Sequence, residues 1–284
     1  MHAHVILNNE LISAREARLP AITPAALYGQ GVFTTLAIFN RRPFLWQKHW
    51  TRLTKHAKCV DIDYGELDED AFLSLLQYLI EANEVQAGRA RVTLFAGEKG
   101  KGFWSLNDSD SAPGNLLVMT GDPNARFNEE IKITLSSHRI FSQSTLAGVK
   151  SVNYLEPLFA FEEAREKGFD ESIRVNELDQ VVSACMTNIF WTKDGELFTP
   201  DLETGALEGT VRGLVIKLAK EFSTTVNFVR KDIHTVENAD EIFLTSSGIG
   251  VCLVKRLDKR AFDYTEKSLA VQLRKAFRDV IQSL

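Results

Sequence analysis

At Gly121-Asp122-Pro123-Asn124 four turn formers stand in a row, and the strand pattern that leads up to Thr120 stops there. Proline fixes its own φ and removes a backbone donor, while glycine, aspartate and asparagine favour turns, so no strand or helix is expected to run through this stretch. A chain of 284 residues can support two cores. The segment therefore reads as a linker at 121–124, separating a smaller domain over 1–120 from a larger one over 125–284.

Both parts mix strands with helices. Residues 4–12 predict strand, turn and strand around Asn8-Asn9, with His2 and His4 as surface strand residues. Residues 31–39 and 43–45 predict a strand pair across Asn40-Arg41-Arg42. Helices are expected over 47–59 and 70–82, the latter with Phe72, Leu75, Leu76, Leu79 and Ile80 on one face. Strands over 90–96 and 116–120 flank the glycine loop 97–103 and an Asp/Ser/Pro-rich loop over 107–114. The second part predicts strands over 131–136, 171–176, 180–183 and 188–192, and helices over 154–167 and 210–222. Val211, Leu214, Val215, Leu218 and Phe222 form the apolar stripe of the last helix. Asp194-Gly195 suits a hairpin turn because both residues tolerate positive φ. The pattern is α+β.

Composition narrows the function. The apolar fraction of 44% and charged fraction of 25% are those of a globular enzyme. No apolar run approaches the roughly 18 residues of a membrane span, and the start lacks a signal peptide's basic and apolar regions, so a cytoplasmic protein is expected. Cys59, Cys185 and Cys252 are far apart with no CxxC spacing, which argues against disulfides and thiolate metal sites. A net charge of −5 offers no basic field for nucleic acid. The histidines are isolated, no HExxH is present, and no Ser-His-Asp arrangement carries an elbow motif. A small-molecule partner is favoured.

Three places could carry chemistry. Lys150, in Gly148-Val149-Lys150-Ser151-Val152-Asn153, precedes an amphipathic helix and could be an amine held in a cleft, able to form a Schiff base; a solvated turn lysine is the ordinary alternative. Gly209-Thr210 opens a helix, where backbone N–H groups and a hydroxyl make an anion site, although plain helix capping is the commoner use. Thr245-Ser246-Ser247-Gly248 ends a strand in three hydroxyls and a glycine, suited to a turn or an anion cradle. The glycine loop 97–103 lacks the Gly-Lys-Ser/Thr ending of a nucleotide loop; it reads as a hinge or substrate loop whose Lys99 and Lys101 could meet carboxylates.

Taken in order, these motifs resemble the fold type IV family of pyridoxal 5′-phosphate enzymes, which comprises branched-chain and D-amino acid aminotransferases and 4-amino-4-deoxychorismate lyase. Tyr28-Gly29-Gln30-Gly31 resembles the family's Tyr-Gly-Asp-Gly start, His49-Trp50-Thr51-Arg52-Leu53 its HxxRL helix, Lys150-Ser151-Val152-Asn153-Tyr154-Leu155 its lysine motif, and Gly168-Phe169-Asp170-Glu171 its GxDE segment. Asn188-Ile189-Phe190-Trp191 and Leu207-Glu208-Gly209-Thr210-Val211-Arg212 resemble the later strand and phosphate-binding helix start, and Thr245-Ser246-Ser247 the last phosphate contact. The likeness covers about residues 5–255. It implies a smaller α+β domain and a larger pseudo-barrel domain with the cofactor between them, and a homodimer. It also implies cofactor roles for Arg52, Lys150, Ser183, Gly209, Thr210, Val211, Ser246 and Ser247, catalytic roles for Lys150 and Thr35, and substrate contacts from Tyr28, Thr35 and Lys101.

Within the family the lyase branch is most similar. Phe33-Thr34-Thr35 stands where aminotransferases commonly have phenylalanine-glutamate, the glycine-rich loop resembles the lyase's, and Trp191 matches its tryptophan. That branch releases pyruvate from aminodeoxychorismate and leaves 4-aminobenzoate, a folate precursor. Departures matter too. The family places a glutamate beside the pyridine nitrogen five residues before the strand asparagine, but here Ser183 stands there; Gln30 replaces an aspartate, Ala37 stands where arginine is frequent, and Lys101 stands where the lyase has arginine. A hydroxyl cannot hold a pyridinium as a carboxylate does. Elimination asks less of the ring than transamination, so Ser183 favours the lyase; an aminotransferase for D- or branched-chain amino acids and a catalytically altered binding module are the alternatives.

Overall fold

The computed structural model describes residues 1–65, 68–97, 113–125 and 130–284. They divide into two compact units, Met1–Asn124 with Val149–Asn153, and Ala125–Gly148 with Tyr154–Leu284. Lys150, expected within 125–284, thus belongs to the first unit. The reason is backbone pairing: Phe33 N donates to Lys150 O, Val152 N donates to Gly31 O, and Ser151 bridges Val32.

In the first unit the elements run β1 (His4–Leu7), β2 (Glu10–Ser13), α1 (Pro24–Tyr28), β3 (Gly31–Phe39), β4 (Arg42–Pro43), α2 (Trp46–Cys59), α3 (Glu69–Ala82), β5 (Gly88–Phe95) and β6 (Asn115–Gly121). The strands form one antiparallel sheet in the order β2-β1-β6-β5-β3-β4. Tight turns close its hairpins where asparagine accepts positive φ, at Asn8-Asn9 and at Asn40. Asp68 caps α3 by accepting from Ala71 N at 2.9 Å. Phe72, Leu76, Leu79 and Ile80 of α3 and Leu53 and Ala57 of α2 share a core with Ile6, Val32, Leu36, Val92 and Leu94 of the sheet. Fully burying one such Leu or Ile contributes about 1.5–3 kcal/mol. The buried face of α2 also carries His49, Arg52 and His56, and buried polar groups persist only when partnered.

The second unit runs β7 (Glu130–Leu135), α4 (Leu155–Glu166), β8 (Glu171–Val175), β9 (Val181–Ala184), β10 (Asn188–Lys193), β11 (Glu196–Pro200), α5 (Thr210–Glu221), β12 (Val226–Val229), α6 (Ile233–Glu237), β13 (Glu241–Ser246), β14 (Gly250–Leu257), β15 (Arg260–Ala261) and α7 (Leu269–Gln282). Its nine-stranded sheet has the order β12-β11-β10-β13-β14-β7-β8-β9, with β15 on β14. The sheet curls, so that β9 returns beside β10 and β11. Ile133, Ile173, Ile189, Trp191, Ile242, Leu244 and Val254 fill its core, and Phe190 stacks on Phe243 at 5.0 Å.

Two expectations change. The helix expected to begin at Tyr154 starts at Leu155, with Lys150 in the extended chain ahead of it. Phe222, placed on the apolar stripe of α5, is its C-cap and is exposed, because the helix ends at Glu221. Among the described residues no helix is long and apolar enough to cross a membrane.

Candidate active site

In the first unit Lys150 is held by its backbone. Its carbonyl accepts from Phe33 N at 2.9 Å, and its N–H donates to Nδ1 of His56 at 3.0 Å. From that root the side chain reaches over the Phe33 ring, with Nζ 4.5 Å from the ring centre. The Arg91 guanidinium lies 3.6 Å from the same ring centre. Arg91 pairs across from Thr35 in the β3–β5 ladder, which puts Phe33, Thr35 and Arg91 on one face of the sheet. Thr34 points to the other face, where Arg52 Nη2 donates to its hydroxyl at 2.8 Å and His49 Nδ1 lies 2.6 Å from the same oxygen.

This crowd of cations sets the acid–base chemistry. Burial, and then the positive charges of Arg52 and Arg91, push the Lys150 ammonium down from its ordinary 10.5 to about 7. Near neutral pH the amine is therefore substantially unprotonated, with a lone pair available for attack on a carbonyl or for proton abstraction. Burial, followed by Arg52 and Lys150, holds His49 well below the ordinary imidazole range. His49 is thus a neutral ring that positions its neighbours.

Two glycine-containing motifs interlock here. Gly29 ends α1 at φ +69°, and a Cβ there would stand 2.5 Å from Oδ1 of Asn153, whose Nδ2 donates to Gly29 O at 2.8 Å. The Tyr28-Gly29 turn and the lysine segment are thereby joined. Tyr28 itself is half-exposed. Gln30, in the place of the family aspartate, donates to Val60 O at 2.8 Å, beyond the end of α2.

The second unit brings together another part of the sequence-derived set. Thr210 opens α5, with Gly209 as an N-cap that offers no side chain, and Thr210 Oγ1 lies 3.3 Å from Ser247 Oγ. Val211 is buried in the first turn. A Cβ on Gly209 would fall 1.9 Å from Oδ1 of Asn188, whose Nδ2 donates to Leu207 O at 2.8 Å. Ser246 has a local use: its hydroxyl accepts from Gly248 N and Ile249 N and closes the β13–β14 turn. The buried hydroxyls of Thr187 and Thr245 have no hydrogen-bond partner among the described residues.

Ser183 lies on β9 directly across from Arg174 of β8. Arg174 is buried and donates to the carbonyls of His138 and Arg139 and to Glu156. Glu171, nearby in sequence, is committed elsewhere: its carboxylate accepts from the N–H of Cys185 at the β9–β10 turn and from that of Ser172 on β8. Burial pushes its carboxyl upward against those bonds. Cys185 packs against Ser172, its Sγ 3.1 Å from that hydroxyl, and burial with the nearby Glu171 raises the thiol to about 12. It is a packing residue.

Sequence reasoning missed Arg91 and His56. Nothing in a single chain distinguishes Arg91 from Arg89, two residues apart on one face of β5, until the strand register sets Arg91 across from Thr35 and Arg89 across from Ala37. His56 stood in plain view seven residues after His49, on the same face of α2, and that spacing was the available signal. Lys101, and with it most of the loop 97–103, lies outside the described residues. Among the described residues no group of His, Cys, Asp and Glu could hold a metal ion.

Comparison with known proteins identifies the family. Residues 31–257 match the family model of amino-transferase class IV. The aminodeoxychorismate lyase of Bacillus subtilis strain 168 is 27% identical over 257 residues, covering 90% of this chain and 87% of that protein. The branched-chain-amino-acid aminotransferase of Escherichia coli strain K12 is 25% identical over 266 residues, covering 90% and 85%. The crystal structure of the T.th. branched-chain amino acid aminotransferase with pyridoxamine 5′-phosphate superposes with a TM-score of 0.89 at 22% identity, covering 100% of this chain and 95% of that one. The family match spans most of the chain and includes Lys150 and the Gly209 helix start, and the chain belongs to amino-transferase class IV.

Proposed function

We propose that this protein is a pyridoxal 5′-phosphate-dependent lyase that eliminates pyruvate from 4-amino-4-deoxychorismate to give 4-aminobenzoate, a step toward folate, and that it works as a homodimer. One observation carries the reading: the amine of Lys150, buried among Arg52 and Arg91, is lowered to about 7. The residues suit the cofactor chemically. Such an amine fits an aldehyde. The helix start at Gly209-Thr210, the paired hydroxyls of Thr210 and Ser247, and the buried hydroxyls of Thr187 and Thr245, which have no partner among the described residues, suit a phosphate.

In this reading Lys150 attaches the cofactor, while Arg52, Gly209, Thr210, Val211, Ser246 and Ser247 hold its phosphate. Bound pyridoxal phosphate supplies the electron-accepting ring that makes a proton beside the substrate nitrogen removable. Released by the substrate's amine, Lys150 Nζ takes that proton and later returns one to the departing enolpyruvate carbon. Arg91 and Thr35, on the face with Phe33, orient a substrate carboxylate, with Tyr28 and Lys101 as further contacts. Ser183, across from Arg174, is the ring-nitrogen neighbour. Neither a hydroxyl nor a guanidinium holds a proton on that nitrogen, which favours elimination over transamination.

The likeness to the Escherichia coli aminotransferase over 266 residues supports a second reading, an aminotransferase for branched-chain or D-amino acids. Borohydride reduction of the protein with pyridoxal phosphate, followed by peptide mass spectrometry, tests what both share. A phosphopyridoxyl group on Lys150 is the expected result; a label on a different lysine, or none, overturns both.

A further inference from the structure

We infer that His56 is a positioning residue for Lys150: its Nδ1 accepts the Lys150 N–H at 3.0 Å and so fixes the direction in which the amine leaves the backbone. The inference rests on the reading of Lys150 as the cofactor lysine. Residues 149–153 lie along the edge of β3, where Phe33 N–H takes the Lys150 carbonyl and Gly31 takes the Val152 N–H. These bonds fix the C-terminal side of Lys150. Its own N–H is met by α2 instead, through a histidine 94 residues earlier in the chain. Upstream, Gly148 at φ +70° turns the chain away, so the His56 bond is the anchor next to the Cα on the N-terminal side.

A lysine side chain has four rotatable bonds, and where its amine can sit depends on where its Cα–Cβ bond points. The N–H and C=O bonds on either side of that Cα set φ and ψ together, and the amine then falls over the Phe33 ring beside Arg91. His56 is buried to 5% exposure, which keeps water from competing for the bond. A backbone N–H only donates, so Nδ1 must present its lone pair, and the ring is the tautomer with hydrogen on Nε2. The requirement is geometric: an acceptor three bonds from the α2 backbone.

That requirement sets the test. Asparagine places Oδ1 as many bonds from Cα as histidine places Nδ1, leucine fills similar space with no lone pair, and glutamine carries its carbonyl one bond further. Apoproteins of the unaltered chain and of His56→Asn, His56→Leu and His56→Gln are mixed with pyridoxal phosphate. Attachment at residue 150 is followed in time by borohydride trapping and peptide mass spectrometry, and thermal unfolding is recorded alongside. His56→Asn is expected to attach within about threefold of the unaltered rate, and His56→Leu and His56→Gln about tenfold more slowly, whatever their melting temperatures do. If His56→Leu does not fold, the Asn–Gln pair decides. Equal rates for the folded variants, or an unaltered rate in His56→Leu, overturn the inference. Absence of label on Lys150 in the unaltered chain fells the reading of Lys150, and this inference with it.

Discussion

Oδ1 of Asn188 occupies the place a Cβ on Gly209 would need, at 1.9 Å. Asn188 is itself tied to Leu207 O, so neither partner can retreat without losing a bond. Gly209→Ala is therefore expected to cost about 1–3 kcal/mol of stability by overpacking, and to weaken pyridoxal phosphate binding at least tenfold, roughly. Adding Asn188→Ala removes the clashing oxygen, so the double variant should lose less than the sum of the two singles. Urea unfolding of the four proteins checks this; strict additivity contradicts it.

Thr34 holds two groups together, accepting from Arg52 and touching His49 with one oxygen. Thr34→Val keeps the shape and removes the oxygen, leaving a buried guanidinium N–H without that acceptor. A loss of about 1–3 kcal/mol is expected, together with weaker cofactor binding, while Thr34→Ser restores both. Binding titrations and unfolding curves for the pair are the measurement.

The lowered Lys150 pKa also has a thermodynamic signature. In the unfolded chain lysine keeps its proton up to the ordinary 10.5, whereas the folded apoprotein releases it near 7. Between these values the unfolded state binds more protons, so the stability contributed at this site rises with pH from about 7 upward and is least below 7. Lys150→Met should abolish that slope and make the apoprotein more stable at pH 7, by on the order of a few kcal/mol. Denaturation across pH 6–10, a window chosen roughly to bracket the two values, reads it directly. An unchanged slope in Lys150→Met contradicts the buried-amine account.

Much of this was legible in the sequence because its signals are local. Asn8-Asn9 and Asp194-Gly195 declare turns through positive φ, and Phe72, Leu76, Leu79 and Ile80 declare a helix face. Motifs such as Gly209-Thr210 marked the candidate site. What could not be read depends on contacts far apart in sequence. Lys150 joins the first unit through pairing with Phe33 and Gly31, more than a hundred residues upstream, and no periodicity encodes that. Arg91 and His56 acquire roles only when register and helix face set them beside Thr35 and Lys150. The curl that brings β9 beside β10 and β11, and the helix α7, likewise follow from the whole sheet rather than from any one window.

Ser183 sits across from the Arg174 guanidinium, and in the proposed reading it takes the place of a carboxylate that would hold a proton on the ring. Ser183→Glu should therefore raise amino-group transfer to a keto acid by about tenfold or more, a change worth ~1.4 kcal/mol at the barrier, and lower elimination. Arg174 opposite would pair with the new glutamate and draw it into the charged form. Paired assays of the two reactions in the variant provide the check; an unchanged ratio removes the ring-protonation argument.

The most direct test of the account is the product analysis of the unaltered protein. Loaded with pyridoxal phosphate and given 4-amino-4-deoxychorismate, it should release pyruvate and 4-aminobenzoate in equal amounts, and Lys150→Ala should release neither. Keto-acid formation from an amino acid donor, with no 4-aminobenzoate from the chorismate derivative, would contradict the lyase assignment.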